Sequence, residues 1–153
     1  MKITTTEVGD DAAGSARVFK SLSESLGVTG VALNYFERAP GEPIGYCYHR
    51  HHEQEEEFYV LSGTATFETE AETVTVDAGE LIRFAPGEWQ QGSNRGEERL
   101  VVLAIGAPFE QGPTDLRRDC PACGERTPAD PEPMGDGVVF YCAVCNTETG
   151  RYD

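Results

Sequence analysis

All three histidines of the chain fall in one run, His49-Arg50-His51-His52, and Glu53, Glu55, Glu56 and Glu57 follow at once. In an extended strand the side chains alternate between faces, so His49 and His51 point the same way and both imidazoles can reach one ion. A carboxylate a few residues on, after the strand turns, completes two nitrogens and one oxygen on one side of a metal. That set suits divalent iron and leaves positions open for a ligand. His52 has the opposite parity and is expected in solvent, and Glu53, Glu55 and Glu57 read as a solvated face. The second constellation is sulfur. Four of the five cysteines form two C-x-x-C pairs, Cys120/Cys123 and Cys142/Cys145, with eighteen residues between the pairs. Each pair makes a tight turn that presents two thiolates, and two such turns close a tetrahedron around zinc with no position left for catalysis. Gly124 and Asn146, directly after each pair, suit the left-handed backbone these turns need. Two disulfides or a redox C-x-x-C are the alternatives, and the intracellular reading given below disfavours both.

These residues need elements to position them. Residues 1–27 read as an extension with a short helix over 15–26, where Val18, Phe19, Leu22 and Leu26 recur at helical spacing before Gly27. From Val28 the period becomes that of strands, over 31–37, 44–51, 56–61, 64–69, 73–76, 81–84 and 100–105. Turn-formers separate them: Ser62-Gly63, Asp77-Ala78-Gly79, Pro86-Gly87 and Asn94-Arg95-Gly96. Many short strands at such spacing predict an all-β sandwich or barrel. Residues 107–119, holding Pro108, Gly112 and Pro113, read as a linker to a small cysteine-stapled unit over 120–153, in which 138–141 supply one strand. Cys47 shares the parity of His49 and His51 and is expected to pack inside. Tyr35, Phe36, Phe58 and Phe84 are expected in the core or lining a pocket, and Trp89, beside Gln90, as a wall for a bound molecule.

Residues 28–106 resemble the cupin family. Its first motif places a His-x-His pair, four intervening residues, a Glu and a Gly seven positions later, matched here by His49, His51, Glu56 and Gly63. In the second motif Gly79, Gly87 and Asn94 fall in register, Ala85 stands at the proline position with Pro86 beside it, and Gln90 stands at the histidine position. The resemblance implies a double-stranded β-helix, or jelly-roll barrel. It also implies a divalent metal (Fe, Mn, Ni or Zn) held by His49, His51 and Glu56, with the neutral amide of Gln90 offering only a weak oxygen. The alternative is a hydrogen-bonded polar cluster without metal. Residues 120–153 resemble a zinc ribbon, with a structural zinc on Cys120, Cys123, Cys142 and Cys145. The family includes isomerases, dioxygenases, decarboxylases, sugar-binding regulators and storage proteins, so fold does not fix activity. One reading is a metal-dependent enzyme on a small oxygenated molecule. The other is a non-catalytic small-molecule-binding or regulatory module whose ribbon docks a protein partner; a structural subunit is a third. No nucleophile motif, phosphate loop or dinucleotide fingerprint supports another reaction class.

Charge narrows the partners. The chain carries 27 acidic and 12 basic residues, a formal net charge of −15, and its only lysines are Lys2 and Lys20. Such a surface repels nucleic acid and anionic membranes, and it resembles the surfaces of halophilic proteins. No apolar run is long enough to cross a bilayer and the first residues lack a secretory pattern, so a cytoplasmic protein is expected. The ribbon is itself net acidic. It is expected to dock on the barrel, on a second copy in a homodimer or on a protein partner rather than on nucleic acid.

Overall fold

The computed structural model describes residues 1–8 and 18–152. Alternation of apolar and polar side chains builds most of it. In order come β1 (Val18–Ser21), α1 (Leu22–Leu26), β2 (Ala32–Arg38), β3 (Tyr48–His51), β4 (Glu55–Ser62), β5 (Thr64–Thr69), β6 (Thr73–Asp77), β7 (Leu81–Phe84), β8 (Gln90–Ser93) and β9 (Leu100–Ala107). Then follow β10 (Thr114–Cys120), β11 (Glu125–Met134), β12 (Gly137–Cys142) and β13 (Glu148–Tyr152). All pairings are antiparallel. One sheet has the order β1-β2-β9-β4-β7 and the other β13-β12-β11-β10-β3-β8-β5-β6, the almost all-β, two-sheet architecture that the strand spacing predicts and a jelly roll as the resemblance implies.

Inward-facing residues of both sheets meet in one core of Ile44, Phe58, Val60, Ala65, Phe67, Val76, Phe84, Leu100, Val102 and Ala104. β9 shows the reason plainly, since buried and half-buried residues alternate along its whole length. Each large apolar side chain taken fully out of water stabilises the fold by roughly 1.5–3 kcal/mol. Two glycines are required by this packing. Gly63 has φ +79° and a Cβ there would lie 2.6 Å from the Arg99 carbonyl oxygen, while a Cβ on Gly92 would lie 2.6 Å from the Phe67 ring. No helix among the described residues is long and apolar enough to cross a membrane.

Three expectations change. The helix expected over 15–26 is only Leu22–Leu26, with residues 15–17 outside the described part. Val18–Ser21 is a strand pairing with β2, where Phe19 lies opposite Phe36 with ring centroids 5.0 Å apart. The β-branched and aromatic residues take a sheet edge in preference to a helical turn, and the helix stops at Gly27 with φ 70° as the spacing predicts. The stretch read as a linker contains β10 over its second half, paired with β3 on one side and β11 on the other. β11 carries Pro128, Pro131 and Pro133, and β8 is Gln-Gln-Gly-Ser; neither shows an apolar period, so both are set by their neighbours.

The cysteine-bearing segment thus continues the barrel sheet rather than hanging from it. A second, smaller core seals the join, where Cys47, Ala129 and Phe140 are buried together with Tyr46, Leu116, Val138 and Tyr152 packed around them. Arg118 of β10 reinforces it, donating to the Tyr46 and Thr149 carbonyl oxygens and, at 2.8 Å, to the Tyr152 hydroxyl. Arg126 of β11 reaches Glu68 of β5 at 3.0 Å and lies over the Tyr48 ring.

Candidate metal centre

The histidine pair behaves as strand alternation predicts. His49, His51 and Cys47 line one cavity, while Tyr48 faces the opposite side of the sheet and stacks on Trp89. Trp89 is therefore not a wall of this cavity; it sits on the outer face between Arg50 and Arg117, whose guanidinium carbons lie 4.8 and 4.7 Å from its ring centre. Its neighbour Gln90 points inward, because adjacent strand residues face opposite ways.

Four strands deliver the cluster. β3 supplies the histidines, β4 of the other sheet supplies Glu56, β8 places Gln90 directly opposite His49, and β10 places Thr114 opposite His51. His51 Nε2 lies 3.2 Å and His49 Nε2 3.6 Å from the same oxygen of Glu56. Each ring is held by its other nitrogen. His49 Nδ1 donates to the Cys47 carbonyl oxygen at 3.0 Å, and His51 Nδ1 donates to Thr114 Oγ1 at 2.9 Å. The Thr114 hydroxyl spends its own proton on the Gly112 carbonyl, which makes its oxygen the acceptor. Both imidazoles thus present Nε2 lone pairs towards a carboxylate, the orientation in which metal-binding histidines are normally tied.

Gln90 is brought to the cluster, but with its amide nitrogen forward, 3.0 Å from Glu56 Oε2 and 3.1 Å from His49 Nε2. Its Oε1 is buried without a partner. Two imidazole lone pairs and a carboxylate face one neutral donor, so the arrangement calls for added positive charge. The ionisation behaviour agrees. Burial would push Glu56 up, yet where protons stand in for an ion on the two Nε2 atoms, hydrogen bonds from His49 and His51 outweigh it and hold the carboxyl at about 2. Burial would likewise lower His49, and its contact with Glu56 raises it instead. The donor set fits a divalent ion, and His49, His51 and Glu56 are one of two such groupings among the described residues.

The cavity beside the cluster has a volume of about 390 Å³. Asn34 and Phe36 of β2, Phe58 of β4, Phe109, and Leu116 and Phe140 of the C-terminal strands are among the residues of its wall. The last three were not legible in sequence, because a residue in a presumed linker or ribbon carries no sign that it will be folded over a barrel mouth. Thr114 was missed for the same reason.

The second grouping is Cys120, Cys123, Cys142 and Cys145, all unbridged, with every sulfur within 4.8 Å of the others. Cys120 and Cys145 sulfurs are 3.5 Å apart and those of Cys123 and Cys142 3.9 Å. A zinc ion bonded at about 2.3 Å to four sulfurs sets them about 3.8 Å apart, so the cluster fits it. Gly124 and Asn146 adopt φ 71° and 62°, closing each turn with hydrogen bonds to the Cys120 and Cys142 carbonyls. The Thr127 hydroxyl above all, together with backbone N–H groups, draws Cys142 down to about 6, while contacts with the other sulfurs push Cys123 up to about 12. Four thiolates this close repel unless a cation lies among them.

Residues 34–106 match the family described as Cupin domain. A protein from Acidithiobacillus ferrooxidans, provisionally described as a sugar phosphate isomerase, is 31% identical over 73% of this chain and 69% of its own, with TM-score 0.58. A cupin protein from Bacteroides fragilis is 26% identical over 71% of this chain and 83% of its own, at TM-score 0.56. A cupin-superfamily sugar phosphate isomerase from Silicibacter pomeroyi shares the fold across 94% of this chain and 88% of its own, with 18% identity and TM-score 0.66. No functionally curated protein matches the sequence.

Proposed function

The chain belongs to the cupin superfamily, and from that premise we propose that it is a metal-binding cupin in which His49, His51 and Glu56 hold a divalent ion beside a bound small oxygenated molecule. The observation that carries this reading is the set of three acceptors, His49 Nε2, His51 Nε2 and Glu56 Oε2, converging with both Nδ1 atoms already tied. A bound divalent ion there supplies Lewis acidity towards a carbonyl or hydroxyl oxygen. The chain's own residues do the rest. Thr114 and the Cys47 carbonyl fix the ring orientations, Gln90 steadies Glu56 by donating to it, and Phe58 and Phe140 keep water from the inner wall. An isomerase, dioxygenase or decarboxylase is the corresponding enzyme.

A second reading is a binding or regulatory module, and Gln90 favours it. A neutral amide with its N–H forward weakens ion binding and leaves less Lewis acidity for catalysis. In both readings Cys120, Cys123, Cys142 and Cys145 hold a structural zinc. Metal titration of the protein followed by elemental analysis tests the proposal. The expected result is two sites per chain, one for zinc that survives mild chelation and a weaker one for Mn, Fe, Ni or Zn. A chain that takes up one equivalent only, at the cysteines, would leave His49 and His51 as polar lining.

The surface charge supports a halophilic protein. Surface arginines are taken up in ion pairs such as Arg83 with Glu55 and Arg99 with Glu37, so a net charge of −15 remains to repel itself. The screening length falls from about 10 Å at 0.1 M salt to about 3 Å at 1 M. The melting temperature is expected to rise from dilute buffer to molar KCl; a flat profile would count against a halophilic origin of the charge.

A further inference from the structure

The chemistry of the cavity wall says what class of molecule it receives, an inference that rests on the small-molecule reading of the same site. Apart from the metal cluster, the side-chain amides in its lining are Asn34, Gln54, Gln90 and Gln111. Among the described residues no lysine or arginine side chain lines it. Amides are neutral and offer both donors and an acceptor. Gln54 donates to the Pro108 carbonyl oxygen, whereas the side chains of Asn34 and Gln111 make no hydrogen bond within the described residues. Gln90 is only 2% exposed and commits its amide nitrogen to Glu56 and His49, so it adds nothing to what the cavity offers a ligand.

The unused capacity therefore includes both donors and acceptors. A hydroxyl, which donates and accepts, meets both demands, and an anion that only accepts leaves the Asn34 and Gln111 amide oxygens without a donor. A phosphate ester would also bring its charge to a wall whose one cation, the proposed divalent ion, is already faced by the Glu56 carboxylate, with no guanidinium or ammonium beside it, on a chain of net charge −15. Phe109 and Phe140 offer apolar surface to a ring or carbon chain. The volume of about 390 Å³ lies at the lower end of the roughly 300–1,000 Å³ typical of small-molecule sites. We infer that the cavity takes an uncharged polyhydroxylated carbonyl compound, an unphosphorylated sugar or close relative, whose hydroxyls pair with Asn34 and Gln111 while an oxygen faces His49, His51 and Glu56.

Isothermal titration of the Mn(II)-loaded full chain tests this, with glucose, mannose, fructose and xylose against their phosphate monoesters, inorganic phosphate and oxalate. At least one free sugar is expected to bind tighter than its phosphate ester by about tenfold or more, the worth of one or two neutral hydrogen bonds. Asn34→Leu should weaken that sugar about tenfold with Mn(II) stoichiometry unchanged; Gln111→Ala, on the loop after β9, serves if Asn34→Leu disturbs the barrel. Tighter binding of a phosphate ester, inorganic phosphate or oxalate overturns the assignment, as does undiminished sugar affinity in both variants. If Mn(II) is taken up and no free sugar binds, the ligand class falls while the metal reading stands. If no Mn(II) is taken up, the metal reading falls, and the same titrations on the metal-free chain decide the ligand class alone.

Discussion

Replacing Cys123 with serine is expected to release the zinc proposed for the four cysteines and, through the chain between them, to weaken the metal binding proposed for the barrel as well. The first effect follows from the ligand set. Structural zinc contributes about 10–16 kcal/mol in small zinc-dependent units, and that binding free energy is folding free energy. Loss of one thiolate should therefore loosen residues 120–153, while the core around Phe67, Leu100 and Val102 survives. The second effect follows from topology. β10 ends at Cys120 and begins at Thr114, whose hydroxyl holds His51 Nδ1 at 2.9 Å. It pairs with β3 along its first half, and Leu116 and Phe140 of the same segment line the cavity. Release of the Cys120 end frees the strand that orients His51. Thr114→Val removes the orienting acceptor without touching the cysteines, and an outer-shell loss of this kind typically lowers metal affinity about 10–100-fold. Hydrogen exchange over β10–β13 and Mn(II) affinity together check the pair of variants. Retention of one zinc per chain in Cys123→Ser would overturn the cysteine assignment. Unchanged Mn(II) affinity in both variants would show the two sites to be independent.

His51→Ala should abolish ion binding in the barrel, since one imidazole and one carboxylate remain and the acceptor that makes the shorter approach to Glu56, at 3.2 Å, is gone. Gln90→His should act in the opposite direction. Gln90 stands directly opposite His49 with its amide nitrogen forward; an imidazole there adds a third nitrogen ligand and removes a donor that competes for the Glu56 oxygen. Divalent affinity is expected to rise, and the Irving–Williams order predicts the larger gain for Ni and Zn over Mn. Titration of the three proteins side by side checks this. A His51→Ala chain that binds as tightly as the unaltered one would remove these residues from the site, and a Gln90→His chain with no gain would mean that position 90 lies outside the ion's reach.

Much of the barrel was legible because its strands alternate. The runs from 56 to 61, 64 to 69 and 100 to 105 become β4, β5 and β9, each with its apolar face in the core. The same period of two placed His49, His51 and Cys47 on one face, and the spacing of the cysteines brought four sulfurs together. β8 and β11 were not legible, since Gln-Gln-Gly-Ser and a proline-rich run carry no apolar pattern. Their conformation comes from hydrogen bonding to β3, β5, β10 and β12. Val18–Ser21 misled for a related reason: Val18 and Phe19, which share a helical spacing with Leu22 and Leu26, also suit a sheet edge, and pairing with β2 decides between them.

Local sequence by itself determined which side chains share a face, where the chain turns, and which residues offer metal-binding atoms, because each depends on neighbours a few positions away. Only the tertiary structure decided that β10 joins the barrel sheet, that Thr114 and the Cys47 carbonyl fix the two imidazoles, that Gln90 turns its nitrogen inward and that Phe140 closes the cavity. Those contacts join residues as far apart as Tyr46 and Phe140. They form where burial of Cys47, Ala129 and Phe140 outweighs the entropy of closing the loops between them, a balance that no short stretch of chain contains.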